Sequence, residues 1–199
     1  MRKTANRMSG FTMVECATVL GLVCVLMGAA VVNTSGSAQI VKAESAADAV
    51  LSQLRVARMI AITQRRNVVV TVDTTFTGPD NAQHLNYQVV TLPGEPAQDV
   101  QSLELPGGTQ FVLETGVPDT PMDFGNSAAV YFEDAAGDTG ITQFQFTPTG
   151  EFTDSNNNDL NGTIFTGVPN VPSTARAVTI MGGAGNVQRF SWTGTEWTR

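Results

Sequence analysis

The sequence predicts an α+β fold, in which a long N-terminal α-helix precedes a small antiparallel β-sandwich-like domain. An apolar run, uncharged from Cys16 to Val32, lies near the start of the chain, and an Ala-rich amphipathic segment follows it with no proline before Pro79. After Arg66 the hydrophobic period changes from helical to alternating, in segments rich in β-branched residues. We therefore divide the chain into segments 1–10, 11–32, 33–66 and 67–199.

Charge is distributed unevenly along the 199 residues, although the formal net charge is only -7. Residues 1–10 contain three basic residues and no acid, whereas residues 67–199 contain three arginines against fifteen acidic residues, a net charge of -12. General nucleic-acid binding needs a basic face, so the C-terminal domain is not expected to bind nucleic acid.

The apolar run Phe11–Val32 predicts the transmembrane half of the N-terminal helix. A helix of its length rises about 33 Å, enough to cross a hydrocarbon core of about 30 Å. Because the basic flank precedes it, the positive-inside rule places residues 1–10 in the cytoplasm and the acidic domain outside it. Glu15 interrupts the run, and an intramembrane carboxylate is costly and usually functional.

The segment Ser9-Gly10-Phe11-Thr12-Met13-Val14-Glu15 resembles the class III signal of type IV pilins and type II secretion pseudopilins. The resemblance implies that residues 1–10 are a leader that a prepilin peptidase removes between Gly10 and Phe11, and that Phe11 is then N-methylated. It also implies that Glu15 pairs with the N-terminal amine of a neighbouring subunit during assembly. Leu is more common in that family where this chain has Thr12 or Met13.

Two other interpretations of the N-terminus stay open. Gly28-Ala29-Ala30 has the small residues of an ordinary signal-peptide cleavage site, and the run could also be an uncleaved anchor. Cys16 and Cys24 are about 12 Å apart along one helix, too far for a disulfide, so we expect both to be small packing residues.

Residues 33–66 predict the amphipathic half of the same helix, since one apolar stripe recurs at three- and four-residue steps. Arg55, Arg58, Arg65 and Arg66 lie off this stripe, and we expect a solvated helix face; contact with a neighbouring acidic domain is the alternative. The stripe consists of Ile40, Ala43, Ala47, Val50 with Leu51, Leu54, Ala57 and Ala61.

The rest of the chain predicts about seven short strands with Pro/Gly-rich turns between them, and possible pairing of a short eighth segment at the C-terminus. The predicted strands are Asn67–Asp73, Leu85–Leu92, Thr109–Glu114, Ala129–Glu133, Gln143–Thr147, Ala177–Met181 and Asn186–Trp192, and the short segment is Glu196–Thr198.

This arrangement resembles the GspH/FimT family of minor pseudopilins and minor pilins. Three passages carry the resemblance: Ala57-Arg58 through Val70, Phe146-Thr147-Pro148-Thr149-Gly150, and the closing hairpin from Val178 to Arg189. The resemblance implies a pilin fold in a structural subunit that is not an enzyme and needs no cofactor.

Few residues suggest chemistry. His84 is the only histidine, and we expect it in a polar loop, 80–84. The 154–162 segment predicts a long polar surface loop without a metal; an irregular calcium site at Asp154, Asn156, Asn158 and Asp159 is the alternative. Only Arg189 and Arg199 are basic near the closing hairpin, so no DNA site is expected. Phe152, Phe190, Trp192 and Trp197 are expected to be core or strand-pair residues.

We therefore expect a structural minor pseudopilin of a type II secretion system. It would be a single-pass protein of the bacterial inner membrane with a periplasmic domain, assembled into a fibre through its N-terminal helix. Its expected partners are other pilin or pseudopilin subunits, prepilin peptidase and the membrane. The alternatives are a type IV pilus minor pilin for adhesion or DNA uptake, and an anchored periplasmic binding domain that never polymerises.

Overall fold

The computed structural model describes residues 12–77, 82–137, 139 and 144–199. Helix α1 spans Met13–Gln64. It ends where Arg65 adopts a left-handed φ of 53°, and the Arg66 amide then donates to the Ala61 carbonyl at 3.1 Å. This bond from the second residue past the helix is the Schellman arrangement, here built without the usual glycine.

Eleven strands are formed by the described residues, in two antiparallel sheets. The first sheet has the order β3-β2-β1-β6-β7, and the second has the order β11-β10-β9-β8-β4, with β5 also paired to β8. The strands are β1 (Val68–Thr77), β2 (Ala82–Val89), β3 (Gln101–Glu104), β4 (Gln110–Phe111), β5 (Val130–Asp134), β6 (Phe144–Phe146), β7 (Phe152–Asp154), β8 (Leu160–Gly167), β9 (Arg176–Met181), β10 (Asn186–Trp192) and β11 (Trp197–Thr198).

The predicted fold class is confirmed: a long N-terminal helix precedes antiparallel sheets. The chain divides into two compact units after Ala38. The second unit, Gln39–Arg199, contains the C-terminal part of α1 together with all the described strands.

The apolar stripe of α1 is confirmed as the helix face that packs into the domain. Six residues of the predicted stripe are fully shielded from solvent, and Ala46, which was not predicted, joins them; the buried set is Ala43, Ala46, Ala47, Val50, Leu54, Ala57 and Ala61, five of them alanines. Ile40 was expected to belong to the stripe but is 40% exposed, so the buried part of the stripe starts at Ala43.

Three strands were missed by the sequence analysis: β3, β7 and β8. The most consequential is β8, because Leu160–Gly167 pairs with β9 on one edge and with β4 and β5 on the other. The expected polar surface loop over 154–162 is therefore wrong in its extent: Asp154 ends β7, Leu160–Gly162 begin β8, and only the turn between them is a surface loop.

Four phenylalanines join the two sheets in the core. Phe132 belongs to the second sheet, and its ring centroid lies 4.7 Å from that of Phe144 and 5.3 Å from that of Phe152 in the first sheet. Phe146 packs on Phe152 at 5.0 Å. Phe152 thus contacts three other rings while being fully buried, as the expected core role requires.

We expect Phe152→Ala to lower the free energy of unfolding by about 3–5 kcal/mol, because it removes a large ring and leaves a cavity between the sheets. Urea denaturation of the purified protein measures this change. Val100→Ala is the control, since Val100 is 53% exposed and its truncation should change stability by less than about 0.5 kcal/mol. Equal effects of the two substitutions would contradict the central role of the phenylalanine cluster.

Candidate functional site

Glu15 lies at the start of α1 and closes its N-terminus. The Thr12 amide and hydroxyl each donate to a Glu15 carboxylate oxygen at 2.9 Å, and the Glu15 amide donates back to the Thr12 hydroxyl at 3.3 Å. This reciprocal pairing of a threonine with a glutamate three residues later is a capping box. Thr12, a departure from the pilin-type signal, is thus the residue that caps the helix.

The cleavage-site residues Gly10 and Phe11, and with them the leader 1–10, lie outside the described residues. Beyond Glu15, the helix exposes apolar side chains on all sides, among them Leu20, Leu22 and Leu26. Cys16 and Cys24 are free and exposed. None of the described helical residues make up a stretch with the length and hydrophobicity that a membrane crossing requires.

Arg58 ties α1 to a turn from each sheet. Its Nε donates to the Gly150 carbonyl at 2.8 Å, in the turn between β6 and β7. One terminal nitrogen donates to the Ala184 carbonyl at 2.9 Å, in the turn between β9 and β10. A guanidinium can bridge two acceptors in this way because its donors are fixed in a planar fork.

The glycines of these two turns are required by the close approach at Arg58. Gly185 has a φ of +55°, and a Cβ there would lie 1.8 Å from the Gly150 carbonyl oxygen and 2.7 Å from Arg58 Nε. At Gly150, whose φ is +88°, a Cβ would lie 2.8 Å from Ile62 Cδ1. The three passages that carry the family resemblance therefore meet at one point in the fold.

Glu44 links α1 to the second sheet at another point, nearer the start of the domain. Its carboxylate accepts hydrogen bonds from Arg176 Nε at 2.8 Å, from Arg189 at 2.5 Å and from the Ser191 hydroxyl at 3.3 Å. Arg189 also contacts Asp48 at 2.9 Å. Arg176 is almost completely buried, and its Nη1 donates to the Ser173 and Ala175 carbonyls. Arg189, one of the two basic residues near the closing hairpin, therefore has its charge balanced within the domain.

The expectation of a solvated arginine face on α1 is wrong for Arg58 and Arg66, which are partly buried, and holds for Arg55 and Arg65, which are exposed. Arg55 donates to the Val187 carbonyl at 3.2 Å, and Arg58 makes the two bonds described above. Arg66 forms a two-pronged ion pair with Glu95, in which hydrogen bonding raises the pKa of Arg66 and lowers that of Glu95. Arg65 is exposed, as expected.

Three of the four calcium candidates, Asp154, Asn156 and Asn158, are hydrogen-bonded to one another in a turn. One Asp154 carboxylate oxygen accepts the Asn156 and Asn158 amides, each at 2.8 Å, and the other accepts their side-chain amides at 3.3 and 3.0 Å. Asp154 therefore already accepts four hydrogen bonds. Over the described residues, no group of three or more His, Cys, Asp or Glu is placed to hold a metal ion.

The remaining candidate residues, one histidine and three aromatic residues, lie in strands and contact neighbouring groups of the domain. His84 lies within β2 rather than in the expected loop, and its Nδ1 is 3.2 Å from the Ser102 hydroxyl in β3. Phe190 is buried in a small cluster with Phe165 and Ala177, against which Trp197 packs. Trp197 also donates to the Pro118 carbonyl at 3.0 Å and packs against Trp192 with ring centroids 5.4 Å apart. The aromatic residues therefore serve packing, as expected.

A long N-terminal helix whose C-terminal part forms the core of a two-sheet domain is the architecture of a pilin-like structural subunit. Residues 46–189 match the sequence profile of the family described as "Type II transport protein GspH". The chain belongs to the GspH family, and it is a minor pilin or pseudopilin that associates with other such subunits.

One similar solved structure is the crystal structure of the type IV minor pilin FimU from Pseudomonas aeruginosa. The two chains share 17% identity with a TM-score of 0.42, over 78% of this chain and 92% of that chain. Among curated proteins, none matches the chain.

We expect Gly185→Ala to lower the free energy of unfolding by at least about 2 kcal/mol, because the added methyl must displace the Gly150 carbonyl or Arg58. Gly194→Ala is the matched control: Gly194 also has a positive φ, of +99°, but a Cβ there meets nothing within 4 Å. Urea denaturation of both variants separates the clash from backbone strain, and a loss at Gly185 no larger than at Gly194 would contradict the close approach.

Asp154 should make the domain sensitive to acid. Burial acts to raise the pKa of its carboxyl, but the hydrogen bonds from Asn158 and Asn156 outweigh burial and lower that pKa below its ordinary 3.8. A lowered pKa in the folded state stabilises the protein above the unfolded value, and this contribution is lost as the pH falls through the folded value.

We therefore expect Asp154→Asn to cost about 1–2 kcal/mol at neutral pH, with the difference from wild type shrinking below about pH 4. Denaturation midpoints measured from pH 7 to pH 3 test this. Asp159→Asn, in the same turn but without these bonds, should stay within about 0.5 kcal/mol of wild type throughout. A difference at Asp154 that is independent of pH would contradict the assignment.

Proposed function

We propose that the chain is a minor pseudopilin of a type II secretion system, anchored in the inner membrane by residues 11–32 and assembled through its N-terminal helix. The membership in the GspH family, described as a type II transport protein, carries this proposal. The uncharged sequence from Cys16 to Val32 supports the membrane anchor, and the basic residues before it support a periplasmic domain.

Processing of the N-terminus belongs to the same proposal. Prepilin peptidase cuts between Gly10 and Phe11, and Phe11 is N-methylated. Glu15 then pairs with the N-terminal amine of a neighbouring subunit. The Glu15 carboxylate and the N-terminal amine are both charged groups in an apolar surrounding. Each gains a partner of opposite charge only when the subunits stack, so the favourable pairing forms only on assembly.

Glu15 also takes part in the capping box. Capping and assembly are therefore two competing explanations for a glutamate at this position. The two roles have different chemical requirements. Capping needs a hydrogen-bond acceptor at this position, which Gln also provides, whereas pairing with an amine needs a negative charge. The substitution Glu15→Gln therefore separates them.

We expect Glu15→Gln, like Glu15→Ala, to leave the membrane-bound amount of the protein unchanged and to abolish its incorporation into sheared fibres. Cys16→Ala, at the neighbouring exposed position, is the control that should incorporate normally. Incorporation of the Gln variant but not the Ala variant would assign Glu15 to capping, and incorporation of both would refute the assembly role.

The same strains test the secretion system itself. Deleting the gene in its host should impair release of type II secretion substrates, and wild type but not Glu15→Gln should restore it. The intact mass of the wild-type protein from membranes should lack residues 1–10 and carry one added methyl group. Unimpaired secretion together with lost pilus function would refute the type II assignment.

A further inference from the structure

A groove runs between the outward side of α1 and the turn that joins β9 to β10. Arg55, Arg58, Met59 and Ile62 form its helical wall, and residues 185–187 form the other. Its volume is about 360 Å³, and it shares Arg55 and Met59 with a second concavity that continues along α1 to Asp48. The groove lies entirely within the second unit of the chain, Gln39–Arg199.

The groove combines exposed apolar surface with positive charge. Met59 is 58% exposed and Ile62 is 43% exposed, although both belong to a helix whose opposite face is fully buried. Arg55 and Arg58 donate only to backbone carbonyls, of Val187, Gly150 and Ala184. These bonds use one donor nitrogen of Arg55 and two of Arg58 and position their guanidinium groups, but a neutral carbonyl does not balance a positive charge.

Arg55 and Arg58 differ from three other arginines of the domain in the groups that surround their charges. Arg66, Arg176 and Arg189 each contact a carboxylate. For Arg55 and Arg58, the described residues provide no carboxylate oxygen within 4.0 Å. In a domain whose residues 67–199 carry a net charge of -12, two uncompensated arginines therefore flank one apolar opening.

We propose that this groove binds a segment of another pilin-type subunit that presents a carboxylate to Arg55 and Arg58 and an apolar side chain to Met59 and Ile62. This inference rests on the proposed assembly function. Charge complementarity selects an acidic segment, and the apolar opening selects a protein over a nucleic acid, whose backbone the acidic domain would also repel. The small volume fits one or two side chains, so the groove is the anchor point of a larger interface.

The experiment places a photo-crosslinking residue in the groove of the full-length protein in its host. Met59→p-benzoylphenylalanine is irradiated in cells, and fibre incorporation is measured in the same sample. Mass spectrometry then identifies the attached peptide. We expect a segment of another pilin-type subunit with an Asp or Glu near the attachment point.

Charge reversal then tests the recognition itself. Arg55→Glu, combined with the crosslinker, should reduce the crosslinked product roughly tenfold or more, as loss of an interface hot spot does. Replacing the identified partner carboxylate with Arg should restore it. Lys42→Glu is the matched control, since it makes the same charge change on an exposed residue of the same helix outside the groove, and it should leave the product unchanged. Thermal unfolding of each variant verifies the fold.

The inference would be overturned if an incorporated protein gave no crosslink, attached only to lipid or nucleic acid, or gave a product insensitive to Arg55→Glu. If the protein is absent from fibres, the proposed function is refuted instead, and the proposed partner of the groove is refuted with it.

Discussion

The small side chains on one face of α1 are the constraint on which the domain depends. Alanines at most buried positions between Ala43 and Ala61 let the helix backbone approach the sheets closely, and Val50 and Leu54 supply the larger apolar volume. The core on this face contains residues from both sheets, including Val68 and Phe146 from the first and Ile164 and Ile180 from the second. One helix therefore packs against both sheets, and the largest cluster of buried residues in the domain is built on it.

The close approach of the helix to the sheets places backbone carbonyls beside it, and arginine side chains of the helix donate hydrogen bonds to these carbonyls. The turns at Gly150 and Ala184 bring carbonyl groups against α1, and Gly150 is buried there. Arg58 donates to both, and Arg55 donates to the Val187 carbonyl. Buried polar groups cost free energy unless they are hydrogen-bonded, so the arginines are part of the packing and not additions to it.

The sequence predicts those features that depend on local periodicity. The alanine stripe is regular enough to place the helix face, and the strand Asn186–Trp192 was predicted with the bounds the structure has. By contrast, β8 begins within an asparagine-rich segment and contains Gly162, so its composition indicates a loop, and only pairing with strands on both sides makes it a strand. The partners of Arg58 and Arg189 are 92 to 145 residues away in the sequence, and no local pattern identifies such contacts. The capping box could have been found, since Thr12 and Glu15 have its spacing.

The two points at which polar contacts link α1 to the sheets, at Glu44 and at Arg58, have a mechanical consequence. Glu44 attaches the helix to β9 and β10 through Arg176 and Arg189, and Arg58 attaches it about four turns later to both sheets. A force along the helix axis loads these contacts together, in shear, along with the alanine face between them. Contacts sheared in parallel must fail at the same time, whereas contacts that are peeled fail one after another. The domain is therefore attached to α1 in a geometry that resists pulling along the helix axis.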